Sequence, residues 1–462
     1  MNPHIFRGFS IRGRAEEDLP DSVVEAIGRA IGTYFARQGR ASLVVGYDVR
    51  PSSPRLSRVL SRALAGSGLT VTGVGLVPTP ALNFAVDHLQ AGGGVMVTAS
   101  HNPSQDNGCK VRAAETLYGA ALQDIYRLAA ARDFVNGQGR FDEVDILPAY
   151  QAVLAARASL KRPLTVVIDG GNGANGQVMA ALLRDLGCAV HELFCEPDGR
   201  FPNRTPDPTR PGALDALART VLQQRADVGL AYDGDGDRVV AVDDRGRVHL
   251  GDRLLILLAR DLLQNGPATV VHDVSCSQAL VDEVQALGGR AVAAPVGYAF
   301  VHRRMREVGA ALAGETAGHL FFDDPDIRFD DALLASVRLL SILSQSEASF
   351  SSLIDRLPVY YPAPPLRIAC PDALKGQVVE NVRATFAGDY PIDALDGARV
   401  DFGDGWALIR QSNTQPAITV HLEATSARRL NELRPRVLAA VARGLEAAGH
   451  TPPPELYSTL RA

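Results

Sequence analysis

Apolar and polar positions along this chain repeat one pattern three times. The run Ser42–Asp48 leads through a polar loop and a helical stretch to a break at Gly68 and a second apolar run, Val71–Val74. In the same way Leu164–Gly170 leads to Leu186–Cys188 and Val190–Phe194, and Ala268–Val274 leads to Leu287–Gly289 and Ala291–Val296. Each stretch predicts strand, loop, helix, glycine stop, strand. The opening runs are continuously apolar, as strands are when helices cover both faces of a parallel sheet. A glycine after the last helical leucine supplies the left-handed residue that ends a helix, and a crossover of this length joins parallel strands. The pattern therefore predicts three related α/β domains. The competing arrangement is one large doubly wound sheet, which 462 residues make the weaker reading because they exceed a single hydrophobic core.

A fourth region differs. Val378–Phe386 has a helical pattern, Gly403–Gly405 is a tight turn between strand-like runs, Ala417–Leu422 reads as a strand, and Ala427–Ala448 is an amphipathic helix rich in Arg and Leu. These elements predict a small α+β domain. Asn136–Gly139 and the stretch up to Pro163 close the first unit, and the proline-rich Pro358–Pro365 reads as a linker. The expected domains are residues 1–150, 151–250, 251–360 and 366–462.

Composition narrows the function classes only a little. The net charge of −5 offers no basic excess to neutralise a nucleic-acid backbone, so nucleic acid is not an expected partner, whereas a small anion needs only a local cluster of Arg and Lys. Apolar stretches such as Leu254–Ala259 are too short to span a bilayer, and the opening 14 residues lack the apolar core of a signal peptide. Five cysteines, an odd number with no CxxC pair, predict neither a disulfide framework nor a zinc site and point to the cytoplasm.

Four motifs carry candidate chemistry. Asp-Gly-Asp-Gly-Asp-Arg at 233–238 lies between two apolar runs, Val228–Tyr232 and Val239–Val242. Alternate carboxylates in a glycine-bent loop gather hard oxygen ligands suited to Mg2+ or Ca2+. An EF-hand loop would need glycine where Arg238 stands and helices as flanks. A plain surface turn would leave three repelling carboxylates uncompensated. Thr-Ala-Ser-His-Asn-Pro at 98–103 comes after the run Gly94–Val97, so Ser100 sits at a strand exit, where sheets of this type bind ligands. His101 and Asn102 support it, and Lys110 lies shortly beyond; a hydroxyl beside Lys and a divalent cation can carry a phosphoryl group. Taken alone, this motif is also what an ordinary polar loop looks like. Arg-Gln-Ser-Asn-Thr-Gln-Pro at 410–416 gathers a guanidinium, hydroxyls and an amide into a phosphate cradle of Arg410, Ser412, Asn413 and Thr414. Gly-Glu-Thr-Ala-Gly-His at 314–319 offers Glu315 to sugar hydroxyls and His319 to proton transfer, although an isolated Glu or His in such a loop is more often merely solvated.

Together these segments, with Phe-Arg-Gly-Phe-Ser-Ile-Arg-Gly at 6–13, resemble in order the motifs of the alpha-D-phosphohexomutase superfamily, most closely its phosphomannomutase/phosphoglucomutase group. The resemblance covers nearly the whole chain. It implies three α/β domains with mixed sheets and a C-terminal α+β domain, heart-shaped around a central cleft. Ser100 is implied as the phosphoserine and as a Mg2+ ligand with Asp233, Asp235 and Asp237. Arg12 and Lys110 would flank the transferred group, Lys110 and His319 would move protons, and Arg238 would hold the phosphoserine region. Glu315, Tyr298 and the 410–414 loop would bind substrate. The implied reaction passes a phosphoryl group from Ser100 to a hexose phosphate and back from the other end, with hexose 1,6-bisphosphate as activator, in a monomer or homodimer with a mobile fourth domain.

Several positions depart from the family pattern. Phe9 and Ser10 stand for its Tyr-Asp, Ser275 for its Lys, Tyr298 for its His, Ala317 for its Ser and His421 for its Arg. These are expected sugar or distal-phosphate contacts, so the departures bear on substrate more than on chemistry. Arg303, Arg304 and His302 are candidate replacements, against the plainer reading of a solvated basic helix face. Three readings stay open: a glucose or mannose phosphate mutase, a phosphoglucosamine or other sugar-phosphate mutase, and a sugar-phosphate binding protein without turnover.

Overall fold

A computed structural model of the protein describes residues 1–412, 415–454 and 456. The chain divides into two compact units, one comprising Met1–Asp261 and Ala317–Asp355, the other Leu262–Thr316 and Arg356–Ala462. The boundary falls inside the 314–319 motif, so Glu315 belongs to the second unit and His319 to the first.

The first unit holds two mixed sheets. One orders its strands Ile11–Arg14, Asp106–Arg112, Gly94–Val97, Ser42–Tyr47, Thr70–Leu76 and Arg140–Glu143. Ser42–Tyr47 pairs in parallel with both of its neighbours, as the crossover pattern predicts. Leu43 and Val45 point into a core with Ile27 and Ile31 of the helix Asp21–Arg37 and with Leu56 and Leu60 of Ser53–Ala65. On the opposite face Gly46 lies against Leu82 of the helix Thr79–His88. Both faces are thus buried, which explains the unbroken apolar run. The other sheet orders Val248–His249, Val239–Asp243, Val228–Tyr232, Thr165–Asp169 and Ala189–Leu193. In the second unit Arg290–Ala294, Thr269–Asp273 and Leu312–Gly314 repeat the parallel arrangement. The predicted glycine stops Gly68, Gly187 and Gly288 have φ of +89°, +83° and +76°.

The repeat has a structural consequence. In every copy the chemistry-bearing loop leaves the strand lying parallel beside the opening strand: Gly94–Val97 precedes Ser100, Val228–Tyr232 precedes Asp233, and Leu312–Gly314 precedes Glu315. An aspartate stands at or just after the end of each opening strand: Asp48, Asp169 or Asp273. Each carboxylate accepts the N–H two residues on, from Arg50, Gly171 or Ser275. It then fastens the neighbourhood of the facing loop. Thr98 Oγ1 donates to Asp48 at 2.7 Å and Thr316 N to Asp273 at 2.9 Å. Asp169 holds Arg204, whose Nη2 donates to Tyr232 O at 2.7 Å.

The C-terminal sheet is antiparallel, with Ala417–Ala424 between Gly405–Gln411 on one side and Leu366–Ala369 and Tyr361–Pro362 on the other. The helices Lys375–Phe386 and Ala427–Ala447 cover it with Val378, Val382, Val437 and Val441. Two segments read as connections carry strands instead. Arg140–Glu143 extends the first sheet, and Tyr361–Pro362 pairs with Ala424 and Glu423. Both are exposed, so neither had an apolar signature to reveal it. Within the second unit the C-terminal domain packs on the third through Val274, Trp406 and Leu408, and Gln278 N donates to Glu423.

Candidate active site

The first unit brings together Ser100 from one loop, the three aspartates from another and Lys110 from the strand Asp106–Arg112. Ser100 Oγ donates to Asp233 Oδ2 at 2.8 Å, across 133 residues of sequence. Gly236 N and Arg238 N donate to the other oxygen of Asp233, which curls the 233–238 loop around that carboxylate. Lys110 Nζ reaches Asp235 at 2.7 Å and also pairs with Asp237. Glycine at 234 is required because a Cβ there would come within 2.6 Å of Ser100 O. Gly236 is required by its φ of +74°.

The electrostatics of this cluster are under tension. All three aspartates are buried. Burial and the adjacent Asp237 and Asp235 carboxylates push Asp233 well above the usual carboxylate range. Burial acts the same way on Asp235, but Lys110 and Thr79 override it and hold Asp235 below that range. Asp235 Oδ1 and Asp237 Oδ1 are buried with no hydrogen-bond partner among the described residues. One oxygen from each of the three aspartates lies within 4.8 Å of the other two. Orphaned carboxylate oxygens on three converging side chains fit a hard divalent cation, which takes all-oxygen ligands. Asp233, Asp235 and Asp237 could hold one, with Ser100 at its edge.

Flanking groups are set by longer-range contacts. Arg12 Nη1 donates to Asn102 Oδ1 at 3.3 Å, which places Arg12 beside the Ser100 loop. His101 Nδ1 is 3.3 Å from Ser100 Oγ. Burial, then the charges of Arg238 and Arg12, drive His101 well below its ordinary pKa, so its ring is neutral. Arg238 Nε donates to His319 Nε2 at 2.8 Å. His319 Nδ1 lies 2.6 Å from Asp330 Oδ2. The Arg238 bond makes Nε2 an acceptor, so the ring proton sits on Nδ1 and points at Asp330. Burial would lower the pKa of His319, but Asp237 and Asp330 outweigh it and raise it.

The second unit gathers the other predicted residues. Glu315 is buried and its Oε1 accepts from Gly297 N at 2.6 Å, at the start of the helix Tyr298–Val308. Tyr298 therefore opens the helix that Glu315 anchors. Arg410 is buried; its Nε donates to Asp396 at 2.7 Å, while its Nη2 has no hydrogen-bond partner among the described residues. Lys375 Nζ donates to Ser412 O at 2.7 Å and Gln415 O at 3.3 Å, closing the predicted phosphate loop from beneath. Ser412 is buried; Asn413 and Thr414 lie outside the described residues.

The departures have local explanations. Ser275 donates to Asp273 and Thr316 and so braces the Glu315 loop. His421 is held near pKa 4 by burial and by Arg410 and Arg367, so it brings no positive charge at neutral pH. Arg303, exposed, and Arg304, half-buried, pair with Glu307 on their own helix. Phe9 rests near Tyr118, with ring centroids 6.1 Å apart, and Ser10 is buried.

Sequence reading missed four residues of this constellation. Thr79 Oγ1 donates to Asp235 at 2.6 Å, and Thr79 N to Asp235 O. Asp330 holds His319, Lys375 holds the phosphate loop, and Arg50 holds the serine loop. Only Arg50 left a trace in the pattern, as the residue two positions after Asp48, which closes the first apolar run.

A serine hydroxyl and a buried carboxylate triad at strand exits, with a lysine from the antiparallel strand Asp106–Arg112, fit an α/β protein that transfers phosphoryl groups. Comparison with known proteins agrees. The four models of the phosphoglucomutase/phosphomannomutase family, three α/β/α domains and the C-terminal domain, match residues 3–135, 148–246, 250–361 and 366–440. A phosphomannomutase/phosphoglucomutase of Pseudomonas putida is 40% identical over 93% of this chain and 94% of its own length. A phosphoglucomutase of Neisseria gonorrhoeae is 39% identical over 95% and 96%. The crystal structure of a phosphoglucomutase/phosphomannomutase family protein from Burkholderia thailandensis has a TM-score of 0.90 at 35% identity, covering 98% of this chain and all of that one. The chain belongs to the phosphoglucomutase/phosphomannomutase family.

Proposed function

We propose that the protein is a phosphohexomutase that moves a phosphoryl group between the 1- and 6-positions of glucose or mannose phosphates. The observation that carries this reading is the Ser100–Asp233 contact at 2.8 Å beside two orphaned carboxylate oxygens. Relatives about 40% identical that are named for both sugars support it. Ser100 is the phosphate carrier. Asp233, Asp235 and Asp237, with Ser100, would hold Mg2+, and Mg2+ there would neutralise charge developing on the transferred group. In the forward half-reaction the bond between Ser100 Oγ and phosphorus breaks, a sugar hydroxyl oxygen takes the phosphorus, and the hydroxyl proton passes to a base. Lys110 and His319 are assigned to proton handling and Arg12 to the phosphoryl oxygens. Arg410, Ser412, Asn413 and Thr414 would bind the phosphate that does not react; Glu315 and Tyr298 would bind the sugar. His101, Asn102 and Arg238 support the loops. The second half-reaction returns the other phosphate to Ser100. A trace of hexose 1,6-bisphosphate is the activator that charges an unphosphorylated Ser100.

The carboxylates favour turnover over binding alone. A buried triad with unsatisfied oxygens costs stability, and only a cation on the phosphoryl path gives a reason to retain it. The test is interconversion of the 1- and 6-phosphates of glucose and mannose with Mg2+ and a trace of bisphosphate. Absence of turnover on both sugars would refute the assignment. Among the described residues no helix is long and apolar enough to cross a membrane. All five cysteines are buried, and a cytoplasmic location is proposed. A monomer or homodimer is the proposed state.

A further inference from the structure

Arg50 is fully buried and spends every donor it has on one loop and its anchor. Its Nε donates to Asp48 Oδ2 at 3.1 Å. Nη2 donates to Ser100 O at 2.8 Å and Asn102 O at 2.6 Å. Nη1 donates to Pro103 O at 2.5 Å and Asp106 O at 2.8 Å. A guanidinium has five N–H groups in a rigid plane, and all five are used here. Asp48 is held in turn by Ser53 and Thr98, so the fork cannot swing. The Phe201 ring lies 5.4 Å from the guanidinium carbon, and Gly199 packs on the Arg50 backbone, where a Cβ would meet Val49 O at 2.3 Å.

We propose that Arg50 is a positioning residue for phosphoryl transfer: by taking the carbonyl edge of the 100–106 loop, it fixes Ser100 in its reactive orientation. Two observations carry the proposal. Ser100 has φ of +52°, a left-handed conformation that a non-glycine residue keeps only when its surroundings over-determine it. Arg50 grips the carbonyls on either side of His101, and so supplies that restraint. The second observation is electrostatic. A loop meant to carry a dianionic phosphoserine is poorly served by carbonyl oxygens facing the phosphate. Arg50 collects four of them on its own side. Since the Ser100–His101 peptide is trans, drawing Ser100 O toward Arg50 turns the His101 N–H to the opposite edge. Lysine could not do this, because an ammonium has three donors and no planar fork.

The proposal rests on Ser100 carrying the phosphate, and the experiment separates the two. Full-length protein charged with glucose 1,6-bisphosphate is examined by 31P NMR and intact mass; a wild-type protein without a phosphoserine signal overturns the phosphoserine assignment itself. With that signal present, Arg50→Lys is compared with wild type. We expect a broadened or shifted phosphoserine resonance. The rate constant kcat should fall about 100-fold, the scale of a roughly 1 Å misplacement of a reacting group, with KM for the sugar phosphate changed less than about twofold. A folded Arg50→Lys protein with an unchanged resonance and kcat within about threefold overturns the proposal. So does a variant that alters KM alone, because that would place Arg50 in binding. Should Arg50→Lys fail to fold, the isosteric Asp48→Asn loosens the same fork. Its resonance and kcat must move in the same direction for the proposal to stand, and a folded Asp48→Asn protein identical to wild type overturns it.

Discussion

In the proposed function the two units meet phosphate in opposite ways. In the first, charges are paired before any ligand arrives: Lys110 sits between Asp235 and Asp237, Ser100 on Asp233, and Arg50 beneath the serine loop. In the second, the described part of the predicted cradle has fewer paired charges. Arg410 keeps an Nη2 without a hydrogen-bond partner among the described residues, and at the family's other cationic positions Ser275 and His421 bring no charge at neutral pH. The difference reflects what each must do. A transferring group needs charge stabilisation preorganised around one small volume. A cradle that must accept either end of a sugar gains from fewer fixed contacts and from donors left open until the ligand comes.

The sharpest way to break this comparison is at Ser100. Ser100→Ala should lower kcat at least about 1,000-fold while the melting temperature stays near wild type, because the change removes the proposed phosphate carrier but leaves the Arg50 fork on the backbone carbonyls. A residual rate within tenfold of wild type would move the carrier elsewhere. Asp233→Asn is next. Asp233 is destabilised by burial and by two neighbouring carboxylates. Neutralising it should raise the melting temperature measured without Mg2+, even as Mg2+-dependent activity falls about 100-fold. A melting temperature that drops instead would mean that the carboxylate stabilises the metal-free protein.

Arg410→Ala tests the other side. Losing a charge-assisted phosphate contact costs about 1.5–3 kcal/mol, so KM should rise roughly 10- to 100-fold with kcat little changed. A fall in kcat with constant KM would place Arg410 among the transition-state contacts and erase the proposed division of labour between the units.

The sequence displayed the two sites unequally, for physical reasons. Ser100, Asp233, Asp235 and Asp237 lie in short motifs at strand exits, where local spacing and apolar flanks are enough to expose them. Thr79 reaches Asp235 across 156 residues, and Asp330 is one carboxylate in an acidic stretch whose role depends on where His319 folds. No local pattern encodes either contact. Arg50 was nearer to view: Asp48, Asp169 and Asp273 each end an apolar run at the same place in the repeat. The residue two positions beyond is Arg50 in the first copy, Gly171 in the second and Ser275 in the third, so only the first copy sets a guanidinium there. The edge strands Arg140–Glu143 and Tyr361–Pro362 were hidden because exposed strands carry no hydrophobic signature. The cradle was harder to judge. Arg303 and Arg304 are candidate phosphate ligands by sequence, and the structure pairs both with Glu307 on their own helix.

The smallest expected effect concerns stability and falls on the second unit. His272 and His421 both belong to it, and burial holds each near pKa 4 as a neutral ring, against an ordinary value of 6.5. A group whose folded pKa is depressed binds protons more readily when unfolded, so its stabilisation is complete above about pH 6.5 and is lost as pH falls toward 4. At pH 5.5 each ring should cost the fold roughly 1 kcal/mol relative to pH 8. Hydrogen exchange at the two pH values should therefore show protection falling in the strands Thr269–Asp273 and Ala417–Ala424. His421→Gln, which cannot take up a proton, should remove about half of that loss. If the variant keeps the full acid sensitivity, burial does not hold His421 below its ordinary range in the folded protein. The ring would then take a proton beside Arg410 at mildly acid pH, and the second unit would gain a second cation there.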